Sequence, residues 1–238
     1  MIGCSPAWPN PGGAQSGYLV EGSGALLLDC GPGVLSRLRE TELWPVLDAI
    51  AITHFHLDHW GDLVPWVWGA FHLTGRGRDP GRPELWVPPG GRARLEHFGE
   101  DLGFADMFER TFDVHEYEPG VAFVAAGHTV TAYRTPHYRI ASYGFRITDE
   151  DAILAYSGDS APDHRLVELA TGADLFICEA TLISGEADGP PPRGHLSLDE
   201  AREAFEASGA KRLLVTHRPV ELPSEGVELA YDGMTIEV

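Results

Sequence analysis

The chain has 238 residues, 43% of them hydrophobic, and a formal net charge of −19 from 36 acidic against 17 basic residues. That length and composition suit a soluble globular protein read as one domain, 1–238, with pseudo-halves of about 1–120 and 121–238. So acidic a surface disfavours large RNA, because affinity for a phosphate backbone comes largely from Lys and Arg, and no apolar run approaches the roughly 20 residues that span a bilayer.

The opening Met1-Ile2-Gly3-Cys4 lacks the basic and apolar regions of a signal peptide. Cys4, Cys30 and Cys178 are scattered and suggest no disulfide framework, so a reducing, cytoplasmic location is expected. After a Gly/Pro-rich loop over 5–17, residues 18–20 and 25–29 read as a β-hairpin. Gly31-Pro32-Gly33 turns into a helix over 34–39, a buried strand follows at 47–53, and the apolar stretch 62–73 is helical. Its Trp66, Trp68 and Phe71 read as core first and as a pocket wall second. A polar loop at 76–83 leads to a strand at 85–87, and Pro88-Pro89-Gly90-Gly91 caps a helix to about 99. Strands are expected at 121–125, 129–134, 143–147 and 152–156, then a helix at 163–170 and a buried strand at 175–178. Ser197 with Glu200 three residues on forms a capping box for a helix at 197–208, and the last strand is 212–216. Strands and helices in two successive mixed sets fit two sheets packed face to face with helices outside.

One stretch behind the strand at 47–53 says most about chemistry. Thr53-His54-Phe55-His56-Leu57-Asp58-His59 gathers three imidazoles and a carboxylate within six positions, costly to fold unless something pairs them. A divalent ion is the simplest partner. Neutral His nitrogen and carboxylate oxygen suit Zn, Mn or Fe, and the lack of Cys argues against a closed structural zinc site. On an extended strand end His54 and His56 point the same way, and Asp58 and His59 follow as the chain turns. A lone buried His is more often a hydrogen-bonded core residue than a ligand, but four such groups at this spacing are not. His137, Asp159 and His217 each lie where a predicted strand gives way to a loop, the usual place for functional groups on a rigid scaffold.

The His-x-His-x-Asp-His order resembles the signature of the metallo-β-lactamase superfamily, and His137, Asp159 and His217 follow in that family's order. The resemblance covers nearly the whole chain. It implies an α/β fold, the αββα four-layer sandwich of two mixed sheets with helices outside, and a metal-dependent hydrolase. It implies two divalent metal ions, Zn first, with Mn or Fe as alternatives. His54, His56 and His137 would hold the first ion, Asp58, His59 and His217 the second, and Asp159 would bridge them.

Gly194-His195-Leu196-Ser197 and Cys178-Glu179-Ala180-Thr181 are similar to elements of the ribonuclease Z-like phosphodiesterases. There a His oriented by the Glu gives a proton to the leaving oxygen or steadies the phosphate. His195 and Glu179 take those roles by resemblance, and Asp58 doubles as base for the attacking water. The plainer readings are a surface His and a buried ion-pair partner. Ser142 is read as a phosphate contact or as an ordinary strand start; His72, His97, His115, His128 and His164 show no ligand spacing and go to the surface or to support of the ligands.

Ribonuclease Z carries a tRNA-gripping arm between the positions of His137 and Asp159, where only residues 138–158 stand here. The chain is therefore more similar to the short, arm-less members of that branch, which look like atypical class II cyclic-nucleotide phosphodiesterases. Gly3-Cys4-Ser5, Gln15-Ser16-Gly17-Tyr18-Leu19-Val20, Phe112-Asp113-Val114-His115 and Leu213-Leu214-Val215-Thr216-His217 carry that likeness. The expected function is phosphodiesterase action on small anionic phosphodiesters such as cyclic nucleotides, with no membrane partner; homodimers are common among such relatives. A ribonuclease Z-type RNA endonuclease and an acyl hydrolase (lactonase, thioesterase or β-lactamase) are the alternatives. A redox di-iron role is disfavoured because His56 stands where that group prefers Glu.

Overall fold

In a computed structural model, which describes every residue except 42, 43, 45, 46, 74–80, 151 and 190, the strands fall into two sheets. The first has β1 (Tyr18–Glu21), β2 (Ala25–Leu28), β3 (Ala49–Ala51), β4 (Glu84–Val87) and β5 (Asp113–Glu116) in that spatial order. Its β1–β2 pair is antiparallel and the others are parallel. The second runs β11 (Leu213–Thr216), β10 (Leu175–Glu179), β9 (Ala152–Tyr156), β8 (Ile140–Asp149), β7 (His128–His137) and β6 (Ala122–Ala125). There β9, β10 and β11 are parallel, and β6 to β9 are antiparallel. The part of the polar loop expected at 76–83 that runs to residue 80 lies outside the described residues.

Alternation along strands buried on both faces builds the layers. Leu27, Ile50 and Ile52 join a core with α1 (Val34–Glu40), α3 (Leu63–Leu73), α4 (Gly91–Asp101) and α5 (Met107–Thr111). Their neighbours Leu26, Leu28, Ala49 and Ala51 turn the other way, against Val130, Phe145, Tyr156 and Ile177 of the second sheet. Phe176, Cys178 and Val215 then face α6 (His164–Ala170) and α7 (Leu198–Ser208) in a third core. Helix, sheet, sheet and helix are thus four layers, and each fully buried Leu or Ile contributes about 1.5–3 kcal/mol. The capping box of Ser197 and Glu200 is formed as the sequence predicts. Among the described residues no helix is long and apolar enough to cross a membrane.

Strand direction decides where the His and Asp groups gather. Since β2 and β3 are parallel, Asp29 and Thr53 leave the first sheet at one edge. In the second sheet β7 and β9 are each antiparallel to β8, hence parallel to one another, and β10 and β11 run the same way. His137, Asp159, Glu179 and His217 therefore all stand at the carboxyl ends of their strands, on one edge.

Some elements differ from the expected ones. The strand expected at 47–53 is only Ala49–Ala51, because the chain bends away to carry Thr53 and the ligand run. The hairpin β7–β8 is longer than 129–134 and 143–147, its ladder continuing through Pro136 until His137 pairs with Ile140. His137 is thus the last residue of its strand rather than the first of a loop. Short α5 and β5 escape the sequence reading: five residues give too little periodicity, and β5 is a polar edge strand. So does α2 (Leu57–Trp60), a single turn that starts at the exposed Leu57 and places Asp58 and His59.

Candidate metal centre

All seven His and Asp groups singled out by sequence converge. His54, His56, His137 and Asp159 form one group and Asp58, His59, Asp159 and His217 another, each with its ligand atoms within 4.8 Å of one another. Asp159 belongs to both through different oxygens. Its Oδ2 lies 3.8 Å from His54 Nε2 and 3.6 Å from His137 Nε2, while Oδ1 lies 3.3 Å from His59 Nε2 and 3.7 Å from His217 Nε2. Asp58 Oδ2 sits 3.2 Å from His217 Nε2 and 3.4 Å from His59 Nε2. His56 Nδ1 approaches His137 Nε2 at 2.8 Å.

Three of these atoms provide the test of fit for a cation. His54 Nε2, His59 Nε2 and Asp159 Oδ1 are buried and have no hydrogen-bond partner among the described residues. Orphaned polar atoms in a core cost free energy unless something else satisfies them. Nitrogen and carboxylate oxygen so arranged fit a divalent metal. Protonation agrees with this at His54 and His137. At His59 burial is outweighed by the Asp159, Asp29 and Asp58 carboxylates, which raise the imidazole well above its usual pKa, so a cation there would displace a proton. Burial, with the nearby His59, holds the His54 imidazole well below its usual pKa, and burial brings His137 down to about 4, so both offer free lone pairs. Burial alone would raise the Asp159 carboxyl, but His217 and His59 outweigh it and hold it well below the usual range.

The far sides of the His54, His59, His137 and His217 rings are pinned. His59 Nδ1 donates to Asp29 Oδ2 at 2.7 Å, and Asp29 also accepts from Thr53 N–H at 2.8 Å, the Thr53 hydroxyl and the Tyr156 hydroxyl at 2.9 Å. The Thr53 hydroxyl in turn accepts from His54 Nδ1 at 3.0 Å. His137 Nδ1 donates to the Gly194 carbonyl at 2.6 Å, and His217 Nδ1 to the Thr181 hydroxyl at 2.8 Å. Such partners fix the tautomer that leaves Nε2 for a metal. The Asp159 carbonyl accepts from Thr135 and Ser142 hydroxyls at 3.1 and 3.0 Å. Gly158 precedes it at φ 57°, where a Cβ would lie 2.5 Å from the Tyr143 carbonyl.

Beside this centre His195 Nδ1 donates to Glu179 Oε1 at 2.9 Å. Burial works against an imidazolium there, but the Glu179, Asp159 and Asp188 carboxylates prevail and raise His195 to about 9. Glu179 is fully buried, and its oxygens also accept from Ser160 N–H at 2.9 Å and the Thr181 hydroxyl at 2.8 Å. Main-chain N–H groups of Gly194 and His195 both donate to Asp188, at 2.6 and 3.1 Å.

Residues 25–218 match the sequence profile of the beta-lactamase superfamily domain. The chain belongs to the metallo-β-lactamase superfamily. It is 35% identical over 224 residues to an uncharacterized protein of Mycobacterium leprae, covering 92% of this chain and 76% of that one. To the probable metallo-hydrolase YhfI of Bacillus subtilis it is 30% identical over 224 residues, 92% of this chain and 86% of that one. The YhfI crystal structure superimposes with a TM-score of 0.83 and 26% identity, over 100% of this chain and 98% of the other. Ribonuclease Z of Mycobacterium bovis is 31% identical over 241 residues, 91% of this chain and 84% of that protein. As a member of the metallo-β-lactamase superfamily, the chain is a hydrolase, and its His/Asp groups suit a divalent metal.

Other sequence expectations resolve by position. Ser142 is buried and turned to the Asp159 backbone, so it holds that main-chain carbonyl and is not open to a phosphate. Trp66 lies in the first core against Trp44 and Phe112, and Trp68 packs on Phe71 and Phe104. His72, His97 and His164 are exposed and His115 half-buried beside Trp86. His128 fits neither expectation: it is fully buried, donates Nε2–H to the Gly24 carbonyl at 3.0 Å, and ties the first hairpin to the second sheet. Sequence reasoning missed Asp29, Thr53, Tyr156 and Thr181. Thr53 heads the His-x-His stretch and Thr181 ends the 178–181 element, but nothing in the sequence assigns a supporting role to either, or to Asp29 or Tyr156.

Proposed function

We propose that the chain is a phosphodiesterase acting on small phosphodiesters such as cyclic nucleotides, with two divalent ions, zinc first among them. The observation that carries this reading is the His195–Glu179 pair, whose Nδ1 stands 4.0 Å from Asp159 Oδ2. His54, His56, His137 and Asp159 would hold one ion, and Asp58, His59, Asp159 and His217 the other. When bound, such ions supply Lewis acidity toward phosphoryl oxygens and acidify an attacking water.

The chain's own groups do the rest. Asp58 is kept ionised although burial opposes it, because His59 and His217 flank it, and it takes the proton from the attacking water. His195 has Nδ1 committed to Glu179, which leaves Nε2–H to protonate the departing oxygen. Glu179 is fixed by Ser160 and Thr181 and keeps the ring oriented through that transfer. An alkoxide leaving phosphorus needs such an acid, and the pair is similar to the one by which ribonuclease Z-like phosphodiesterases supply it. The similarity to ribonuclease Z keeps an RNA endonuclease as a second reading. Against it stand the charge of −19 and the segment from His137 to Asp159, given over to β8 and β9. Three free, buried cysteines support a reducing cytoplasm as its location.

Zinc- and manganese-loaded protein assayed on bis-p-nitrophenyl phosphate, cyclic nucleotides, a precursor tRNA, a lactone and a β-lactam tests the reading. Turnover of the small phosphodiesters that His195→Ala removes is the expected result. Turnover of the acyl substrates alone would retain the metal centre and overturn the roles given to His195 and Glu179.

A further inference from the structure

The turn joining β7 to β8 holds a tyrosine where a two-residue hairpin favours glycine or asparagine. His137 pairs with Ile140, so the turn is Tyr138-Arg139, and Tyr138 has φ 47°. A bulky residue in the left-handed region persists only where its surroundings hold it, and such outliers gather at functional sites. Here the hold is explicit. The Tyr138 hydroxyl donates to Asp188 Oδ1 at 2.8 Å, its N–H donates to the Arg193 carbonyl at 3.0 Å, and its ring covers Gly194, where a Cβ would collide with it. The ring also meets His195 edge-on at 5.5 Å between centroids and lies 4.9 Å from His137.

Bracing His195 requires only the hydroxyl and the inner side of the ring. Yet Tyr138 remains 40% exposed, and Leu57, 61% exposed between His56 and Asp58, adds a second apolar group at the same centre. Arg139, next in the turn, is an exposed cation in a strongly acidic chain.

We propose that Tyr138 determines specificity by taking the aromatic or heterocyclic group of the phosphodiester against its exposed ring, favouring aryl and nucleoside esters over simple alkyl ones. This rests on the phosphodiesterase reading above. His195 Nε2 must reach the departing oxygen, and the organic group on that oxygen then lies within contact of the ring that His195 touches. Stacking on an aromatic side chain is tolerant of ring identity and selects for the presence of a ring.

The test compares zinc-loaded wild type, Y138L and Y138F on methyl p-nitrophenyl phosphate and on glycerophosphoethanolamine. Calorimetric binding of phenylphosphonate and methylphosphonate supplies a readout without turnover. In Y138L, KM for the aryl ester and Kd for phenylphosphonate should rise about tenfold, within the range of one lost stacking contact, while KM for the alkyl ester and Kd for methylphosphonate change less than about twofold and kcat falls as it does in Y138F. Y138F should retain the aryl preference and, because only the Asp188 bond is gone, lose kcat chiefly on the alkyl ester, whose alkoxide needs the His195 proton more than p-nitrophenolate does. Equal rises in KM on both esters in Y138L, or loss of the preference in Y138F, would reduce Tyr138 to a brace for His195 and overturn the proposal. Wild type that hydrolyses neither ester would overturn the phosphodiesterase reading and this inference together, whereas turnover with an unchanged Y138L preference overturns this inference alone.

Discussion

Four of the seven clustered His and Asp groups leave the first sheet on one loop, 53–59, whereas the other three leave the second sheet singly, from the ends of β7, β9 and β11. The loop is governed by one carboxylate, Asp29, which holds His59 directly and His54 through Thr53. Each group from the second sheet has its own support: the Gly194 carbonyl for His137, Thr135 and Ser142 for Asp159, Thr181 for His217. A shared support concentrates risk in one residue, while separate supports spread it over the strand ends.

Substitutions can break this comparison or sharpen it. The largest effect is expected from Asp159→Ala, which removes the one group belonging to both clusters. Metal analysis should find both ions lost, with a rate fall of about a thousandfold or more. His195→Ala comes next, with both ions kept and phosphodiester turnover down about a hundredfold, a split that metal content and kcat measured on one preparation would reveal. Asp29→Asn then probes the shared support. It keeps the side chain's shape but weakens its hold on His59 and Thr53 together, and metal affinity by chelator competition should fall roughly tenfold to a hundredfold. Thr181→Val, which loosens only His217 among the seven groups and also frees one oxygen of Glu179, should cost less than Asp29→Asn, at most about tenfold in the same assay. If the Thr181 variant binds metal more weakly than the Asp29 variant, the unequal dependence of the two sheets is wrong.

That asymmetry also sets what the sequence discloses. The first-sheet loop is contiguous, so four groups at short spacing after an apolar strand announce themselves without any tertiary information. His137, Asp159 and His217 are separated by two strand registers, and they come into reach only because β7, β9, β10 and β11 all point the same way. Their order along the chain resembles a family, but no spacing rule joins them. The supports are harder still. Thr53, Thr181 and Tyr156 are ordinary strand-end residues until another segment folds over them, and Asp29 contacts partners 24, 30 and 127 positions away. Short polar β5 and the single-turn α2 were illegible for a different reason: neither runs long enough to show a period.

Asp29 has one more consequence. It stands at the end of β2, yet accepts the hydroxyl of Tyr156 from β9, so the carboxylate that aligns the first-sheet loop is itself tied to the opposite sheet. Binding of a divalent ion would therefore be thermodynamically linked to closure of the two sheets: an ion that prefers the aligned loop would also favour the closed sandwich, and a chelator would loosen both. The ions would serve as rivets between the halves as well as reagents.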